Sequence, residues 1–534
     1  MKRKLFFAAM LGTLGWGAYA QAPAIQWQKC YGGTDSETAK SVKQTKDGGF
    51  IVVGTTSSTD GQVTGQHGGT DVWVIKISAT GTLEWQKTIG GTMDDEGNDV
   101  VQTPDGGYAI AATSYSTDGD IASAGNHGGG DATLIRLSST GTLLWLKVYG
   151  GSDREEGFGI INTADGGFVI DGGSASNDGQ ITTHHGATGI DDMWMMKTDA
   201  SGTLLWNTCI GGTEDDGADT PTSVIQTKDG GYLFAGNTVC TDGDVAGITM
   251  PGANDMIVCK LDGAGKKVWL KVYGGKDDED PPTSILQTKD GGYIIIGNSM
   301  SNDGDIINHH GTPGGSNDVW VLKITSTGTV QWKQSLGGSA EDNSEPGSIS
   351  FAPDGGYIIS CTSNSTGGDI TGHHGTATTS DIWISHIDSV GKLLWQKSLG
   401  GTGDDVSGTS ILTSDNGIVV VGGGATNDGD ITGNAGMDDF WVVKLASAFG
   451  IENFENLNNQ VVVYPNPSTG LFNLTTTVKA SKIEVVNALG AVIYSAQVNV
   501  DRIQVNLSQE AKGVYFYTLS NHETIIGRGR LIVE

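Results

Sequence analysis

Residues 301–311 read SNDGDIINHHG and place two aspartates and two adjacent histidines around a glycine turn. Carboxylates at such a turn can supply oxygen to calcium, which takes six to eight oxygen ligands. Histidines can ligate zinc or relay protons. The same grammar recurs. A D-G-[DQ]-[IV] turn begins at Asp60, Asp118, Asp178, Asp242, Asp303 and Asp428, while residues 366–370 read TGGDI instead. Another aspartate stands just before an apolar stretch at Asp71, Asp131, Asp192, Asp255, Asp318, Asp381 and Asp439. The candidate calcium ligands are Asp60, Asp71, Asp118, Asp120, Asp131, Asp242, Asp244, Asp255, Asp303, Asp305, Asp318, Asp428, Asp430 and Asp439. Against calcium, serine or threonine occupies the earlier positions of the spaced D-x-[DN]-x-[DN]-G pattern. Asp-Gly is also an ordinary turn dipeptide, and an aspartate before a strand can cap loop amides. Zinc is disfavoured, because adjacent histidines in an extended chain point to opposite sides and no H-E-x-x-H occurs. The expectation is exposed loop histidines.

These loops must be carried by a repeat. A W-x-x-x-x-G-G phrase recurs at Trp27, Trp85, Trp145, Trp206, Trp269, Trp332 and Trp395, in steps of 58 to 63 residues. Each unit holds four strand-like segments, seen first as AKSVKQT (39–45), FIVVGTT (50–56), VWVIKIS (72–78) and TLEWQKT (82–88). Alternation and β-branched or aromatic content suit strands, and Asp-Gly-Gly at 47–49 suits a tight hairpin. Four antiparallel strands repeated seven times predict a β-propeller. The segment AIQWQKC (24–30) is an unaccompanied outermost strand, and the last repeat ends on its third strand at 438–446. The N-terminal strand is therefore expected to complete the last blade, which hides the sheet edges that a solenoid would expose. The D-G-G-[FY] turn and the W-x-K strand ending in Gly-Gly resemble blades of the NHL and SBBP-type propellers, over residues 24–446. That resemblance implies a fold and not an activity.

With strands lettered A to D from the axis outward, A–B and C–D turns share one face. The long B–C loops and the D-to-A crossovers share the other. Both loop sets are acidic, and eight of the ten histidines lie in B–C loops. Binding by propellers is expected on such a loop-rich face. Glycoside hydrolysis needs two carboxylates roughly 5–9.5 Å apart. The crossovers offer many acids, yet no pair is singled out and no blade stands out as catalytic. There is no nucleophile elbow and no P-loop. Trp73, Trp194, Trp320, Trp383 and Trp441 hold a fixed register in strand C, which predicts packing rather than sugar stacking.

The net charge of −30 is concentrated: residues 27–452 carry −33. Such a domain repels a phosphate backbone, so nucleic acid is excluded as a partner. Cys30, Cys209, Cys240, Cys259 and Cys361 form no CxxC, so neither a zinc knuckle nor a redox motif is expected. Residues 1–20 read as a signal peptide: a basic start, a short apolar run, then Ala18 and Ala20 before the cut. No later stretch has the ~20 apolar residues of a spanning helix.

The grammar changes after residue 448. Residues 449–460 are a polar linker, and 461–534 read as short alternating strands at sandwich-like spacing. Tyr464-Pro465-Asn466-Pro467 with Gly470, the NALG turn ending at Gly490, and Gly513-Val514-Tyr515 carry a resemblance to the type A C-terminal sorting domain of the Bacteroidetes type IX secretion system. The usual lysine-rich final segment is here GRGRLIVE. The resemblance implies a seven-stranded immunoglobulin-like domain, recognition by the outer-membrane translocon, removal by a sortase-like peptidase, and a secreted or cell-surface location. The chain is thus expected to be all-β: residues 21–448 a seven-bladed propeller, residues 461–534 a sorting domain. The expected role is binding a glycan or surface protein through the acidic face, with calcium as a possible cofactor. The alternatives are a secreted glycoside hydrolase of endoglucanase type and a structural surface protein.

Overall fold

The computed structural model describes residues 22–216, 223–447, 461–487, 492–521 and 524–534. The signal-peptide, linker and Gly490 assignments lie outside them. The chain divides into two units, Met1–Ala448 and Phe449–Glu534.

Among the described residues the first unit holds seven four-stranded antiparallel sheets, six of them in chain order outward from the axis and the seventh completed by the N-terminal strand. Blade 1 is built from Glu37–Gln44, Phe50–Thr56, Asp71–Ile77 and Leu83–Ile89 as strands A to D. Strands B and C are almost wholly buried, because both faces of a blade pack on neighbouring blades. Strand A alternates toward the axis and strand D toward solvent. The strand C tryptophans Trp73, Trp194, Trp320, Trp383 and Trp441 are fully buried, as their register predicts. Trp27, Trp85, Trp206 and Trp332 of strand D pack on the aromatic that opens strand B of the next blade, as Trp85 does on Tyr108 with ring centroids 5.8 Å apart.

The plain face is stitched by ion pairs. The strand C cation at each blade's end reaches the aspartate of its own Asp-Gly-Gly turn, which is Asp-Asn-Gly in blade 7. Lys76 lies 3.1 Å from Asp47, Arg136 2.6 Å from Asp105 and Lys444 2.8 Å from Asp415. Blade 6 uses His386, 3.2 Å from Asp354. Hydrogen bonds from a threonine and a turn amide join the cation in holding Asp105, Asp165 and Asp290 at about 2, below the usual carboxylate range.

The ring closes as the sequence predicts. Ile25–Tyr31 pairs antiparallel with Asp439–Leu445, in a register from Ile25 opposite Leu445 to Tyr31 opposite Phe440. Tyr31 is buried, and its hydroxyl donates to the Gly81 carbonyl in the first blade's C–D turn at 2.6 Å. Tyr149 and Tyr273 make the same reach to Gly202 and Gly328.

The second unit is all-β as expected and differs in strand number from what the resemblance implies. Its described strands number five, not seven: Val461–Tyr464, Leu471–Val486, Val492–Asn506, Gly513–Asn521 and Thr524–Val533, in one curled antiparallel sheet. The two long strands each do the work of two. Register shifts between Thr475 and Ala480 bend Leu471–Val486, so that its halves pair with different neighbours. Phe472, Ile483, Val505, Tyr517 and Leu531 share the enclosed core.

Deleting Ile25–Tyr31 uncovers Phe440 and the edge of the last blade. Loss of more than about 3 kcal/mol is expected, the worth of burying one or two large side chains. Urea melts of the truncated chain check this, and a midpoint equal to the parent's would refute closure by this strand.

Candidate functional site

The loop-rich face is organised by seven carboxylate pairs. At each crossover the first glycine of Gly-Gly sits between the acid that opens strand A and the aspartate that opens strand C of the preceding blade. A Cβ on Gly90 would lie 2.5 Å from Asp71 Oδ1 and 2.7 Å from Asp95 Oδ2. One on Gly337 would lie 2.8 Å from Asp318 Oδ1 and 2.7 Å from Asp342 Oδ2. Gly32 stands in this way between Asp439 and Glu37, across the ring closure. Only glycine fits there. The second glycine donates its amide to the strand A acid at 2.5–3.0 Å in every blade. A strand B hydroxyl adds a second bond, as Thr56 does to Glu37 at 2.6 Å.

These acids are buried, and the Oδ1 atoms of Asp71, Asp131, Asp192, Asp318, Asp381 and Asp439 have no hydrogen-bond partner. Burial therefore pushes several of them up: Asp342 and Glu279 to about 7, and Asp216, Asp405 and Asp439 to about 6. Asp255 is the exception in geometry, with the Gly252 amide on both its oxygens.

The turn aspartates do something else. Asp60, Asp118, Asp242 and Asp428 each accept from the amide and hydroxyl of the threonine after Gly-Gly, at 2.6–2.9 Å. Asp303 accepts from the Lys276 amide at 2.8 Å. They tie one blade's B–C loop to the preceding crossover. Hydrogen bonding to the charged form lowers Asp118, Asp242 and Asp428. The second acids, Asp120, Asp244, Asp305 and Asp430, donate their amides to the first glycine's carbonyl at 2.8–2.9 Å, which brings them over the buried pair. So the structure gathers Asp71 with Asp120, Asp192 with Asp244, and Asp381 with Asp430, each from adjacent blades. Among the described residues, no group of three or more His, Cys, Asp or Glu side chains could hold a metal ion.

The histidines are not the free loop residues expected. His310 Nδ1 lies 2.9 Å from Asp318, and its Nε2 lies 3.5 Å from Asp369 of the next blade. His185 spans Asp192 and Asp244 at 2.8 and 3.5 Å, and His67 and His374 repeat the bridge at 2.8 and 3.9 Å. The side chains of His309 and His373 are buried. Their carboxylate partners raise His185 and His310. The five cysteines are free, and Cys240 donates to Asp216 at 3.1 Å.

A second feature was missed from the sequence: an axial cavity of about 670 Å³ lined by strand A of the seven blades. A signal for it exists. The spacing from the strand A acid to the turn aspartate is ten residues in blades 1, 2, 3 and 7, but 13, 11 and 12 in blades 4, 5 and 6. The extra residues bulge strand A, shifting its register between Asp280 and Ser284 and between Ser344 and Ile349. They bring Glu345 and Pro346 into the cavity wall.

In the second unit, Tyr464-Pro465-Asn466-Pro467 is exposed and pinned to the final strand. Asn466 donates to the Arg530 carbonyl at 2.7 Å and accepts from the Ile532 amide at 2.9 Å. Gly470 has φ +111°, and a Cβ there would meet Ser508 Cα at 2.4 Å. Tyr515 donates to the Ala511 carbonyl at 2.6 Å, just before Gly513. Residues 462–534 match the family model described as a secretion system C-terminal sorting domain. This tail is a type IX sorting domain. The sorting domain directs the chain to the cell surface or the medium. Among the described residues, no helix is long and apolar enough to cross a membrane.

Over 320 residues, 56% of the chain, it is 24% identical to the regulatory protein FlaEY of Caulobacter vibrioides, of which it spans 31%. Among solved structures it is similar to PorZ, an essential surface component of the type IX secretion system of Porphyromonas gingivalis. The TM-score is 0.40 at 11% identity, over 97% of this chain and 61% of that one. A protein of unknown function from Dyadobacter fermentans gives TM-score 0.39 at 11% identity, over 79% and 99% of the two chains.

The buried acids set a pH dependence. The folded chain holds their protons more tightly than the unfolded chain does. The stabilisation is therefore complete below the ordinary carboxylate range near pH 4 and is lost as pH rises through 6 to 7. The Asp-Gly-Gly aspartates act oppositely, losing their contribution only as pH falls from about 4 toward 2. Stability should thus decline from pH 5 to 8, and Asp342→Asn should flatten that decline. Urea midpoints across this range check it; an unchanged slope in the variant would count against the assignment.

Proposed function

We propose that this exported propeller is a binding module that engages a glycan or a surface protein through its loop-rich face. The observation that carries the reading is a ring of exposed carboxylates whose positions are set by backbone amides. Asp60, Asp118, Asp242 and Asp428 are held rigidly by the crossovers, so they pay little ordering entropy on meeting a partner. Met93 and Met437, 56% and 63% exposed, stand among them as apolar contacts. A partner with a basic or hydroxyl-rich surface fits this chemistry. The hydrolase alternative is less well supported, because the paired acids lie beneath glycine and backbone rather than open to a sugar. A structural surface role is the remaining alternative.

A glycan array read alongside a reducing-sugar assay tests the reading. Binding that weakens with salt, without sugar release, is expected. Release of reducing ends would overturn it in favour of hydrolysis, and silence on both would favour the structural role.

Calcium is proposed at the junctions, where adjacent blades would supply two carboxylates, Asp71 and Asp120 or their equivalents, and loop carbonyls would complete the oxygen set. Calcium at about 100 times its Kd would add about 2.7 kcal/mol to stability. Identical melting in calcium and in chelator would remove the cofactor.

Handling by the translocon and cleavage by a sortase-like peptidase are proposed for the tail. Gly470→Ala drives a side chain into the Ser508 backbone. The variant is expected to accumulate in the periplasm, as read by cell fractionation; wild-type export would contradict this.

A further inference from the structure

The axial cavity is bounded by strand A and owes nothing to the loop-face carboxylates, so it stands apart from the proposal above. Among the described residues its walls hold two cations and four acids: Lys40, Lys43, Glu96, Asp99, Glu156 and Glu345. Both cations are committed to blade 2. Lys40 Nζ lies 2.9 Å from Glu96 and 2.8 Å from Asn98 Oδ1. Lys43 lies 3.0 Å from Asp99, which also accepts from the Ser41 hydroxyl at 2.5 Å. Glu345 differs. It carries no hydrogen bond or ion pair among the described residues, and Lys40 is the one cation whose charge it feels. Burial pushes it up to about 7.

Glu345 is also held in place. It sits in the strand A bulge of blade 6, and the carbonyl of the following Pro346 accepts from the Thr409 hydroxyl of blade 7 at 3.0 Å. The same hydroxyl reaches the Lys40 carbonyl of blade 1 at 2.9 Å. Gly347 turns the chain at φ +71°, where a Cβ would press on Thr409 at 2.8 Å. Three blades thus clamp an unpaired carboxylate against a cavity whose volume suits a small molecule. Phe158 and Val406 add apolar wall.

We propose that the axial cavity binds a small primary amine, with Glu345 as the counter-ion of its ammonium group. An ammonium supplies three donors and a positive charge at Glu345, the one acid of the described wall without a partner, while Lys40 and Lys43 are already committed. A neutral ligand of the same size leaves Glu345 uncompensated.

The test is calorimetry on the full chain with putrescine, glucosamine and, as neutral counterpart, N-acetylglucosamine. Binding of at least one amine and none of the neutral sugar is expected. Glu345→Gln should weaken amine binding by about tenfold or more, the scale of one lost charge-assisted bond, while still melting in one cooperative transition. Should that variant misfold, the wild type alone decides: its amine affinity should fall as pH drops from 8 to 6 and Glu345 takes up a proton. No heat with either amine, equal binding of the neutral sugar, or an affinity flat with pH would each overturn the proposal.

Discussion

At each blade junction two buried carboxylates face one another across a glycine. The rest of the propeller is arranged around that constraint. Like charges repel when buried, so each pair must share a proton, accept backbone amides or find a cation. The chain uses the last two visibly. Gly-Gly brings an amide to one acid, a histidine or loop amide serves the other, and the lack of a Cβ leaves room for both. The recurrent Gly-Gly is therefore demanded by electrostatics as much as by the turn. Burying fourteen acids in a chain of net charge −30 is tolerable only because each is engaged by its surroundings.

The two faces solve opposite problems with one strand. Strand C begins with an aspartate on the loop side and ends with a lysine, arginine or histidine on the plain side. The plain side pairs each cation locally, within a blade, through a turn of fixed length. The loop side pairs acids between blades, through loops of varied length. Variation in sequence is thus concentrated where blades meet. Histidine bridges reach Asp120, Asp244, Asp369 and Asp430 of the next blade, whereas at the Asp305 junction the loop carries no histidine and the Gly252 amide serves Asp255. Where the next blade offers Gln62, no histidine stands opposite: the Ala435 amide serves Asp439 instead.

Most of the architecture was legible because it repeats. Trp-to-Trp spacing and the orphan strand at Ile25–Tyr31 define the blade count and the closure, and both depend only on period. The tail was legible through Tyr464-Pro465-Asn466-Pro467 and Gly470, residues whose backbone roles are local. The candidate site was less so. The recurring aspartates were visible, but whether Asp60 caps a loop or faces an ion depends on amides from a crossover some 26 residues away. The acids opening strand A, such as Asp95 and Asp342, hid within acidic crossovers that looked like solvated loops. Seven strands were expected in the tail because the sorting-domain resemblance implied them, whereas Leu471–Val486 continues through its bend as one strand. The axial cavity hid for a different reason: it is made by departures from the repeat, and a reading tuned to likeness passes over them.

The strand that receives Ile25–Tyr31 ends at Leu445, and the sorting domain begins at residue 462. In the order of synthesis, the piece that makes the ring closable is followed almost at once by the piece that makes it exportable. A chain broken off anywhere upstream lacks both. The linear order alone therefore acts as proofreading: the outer surface is offered only products long enough to have finished their circle.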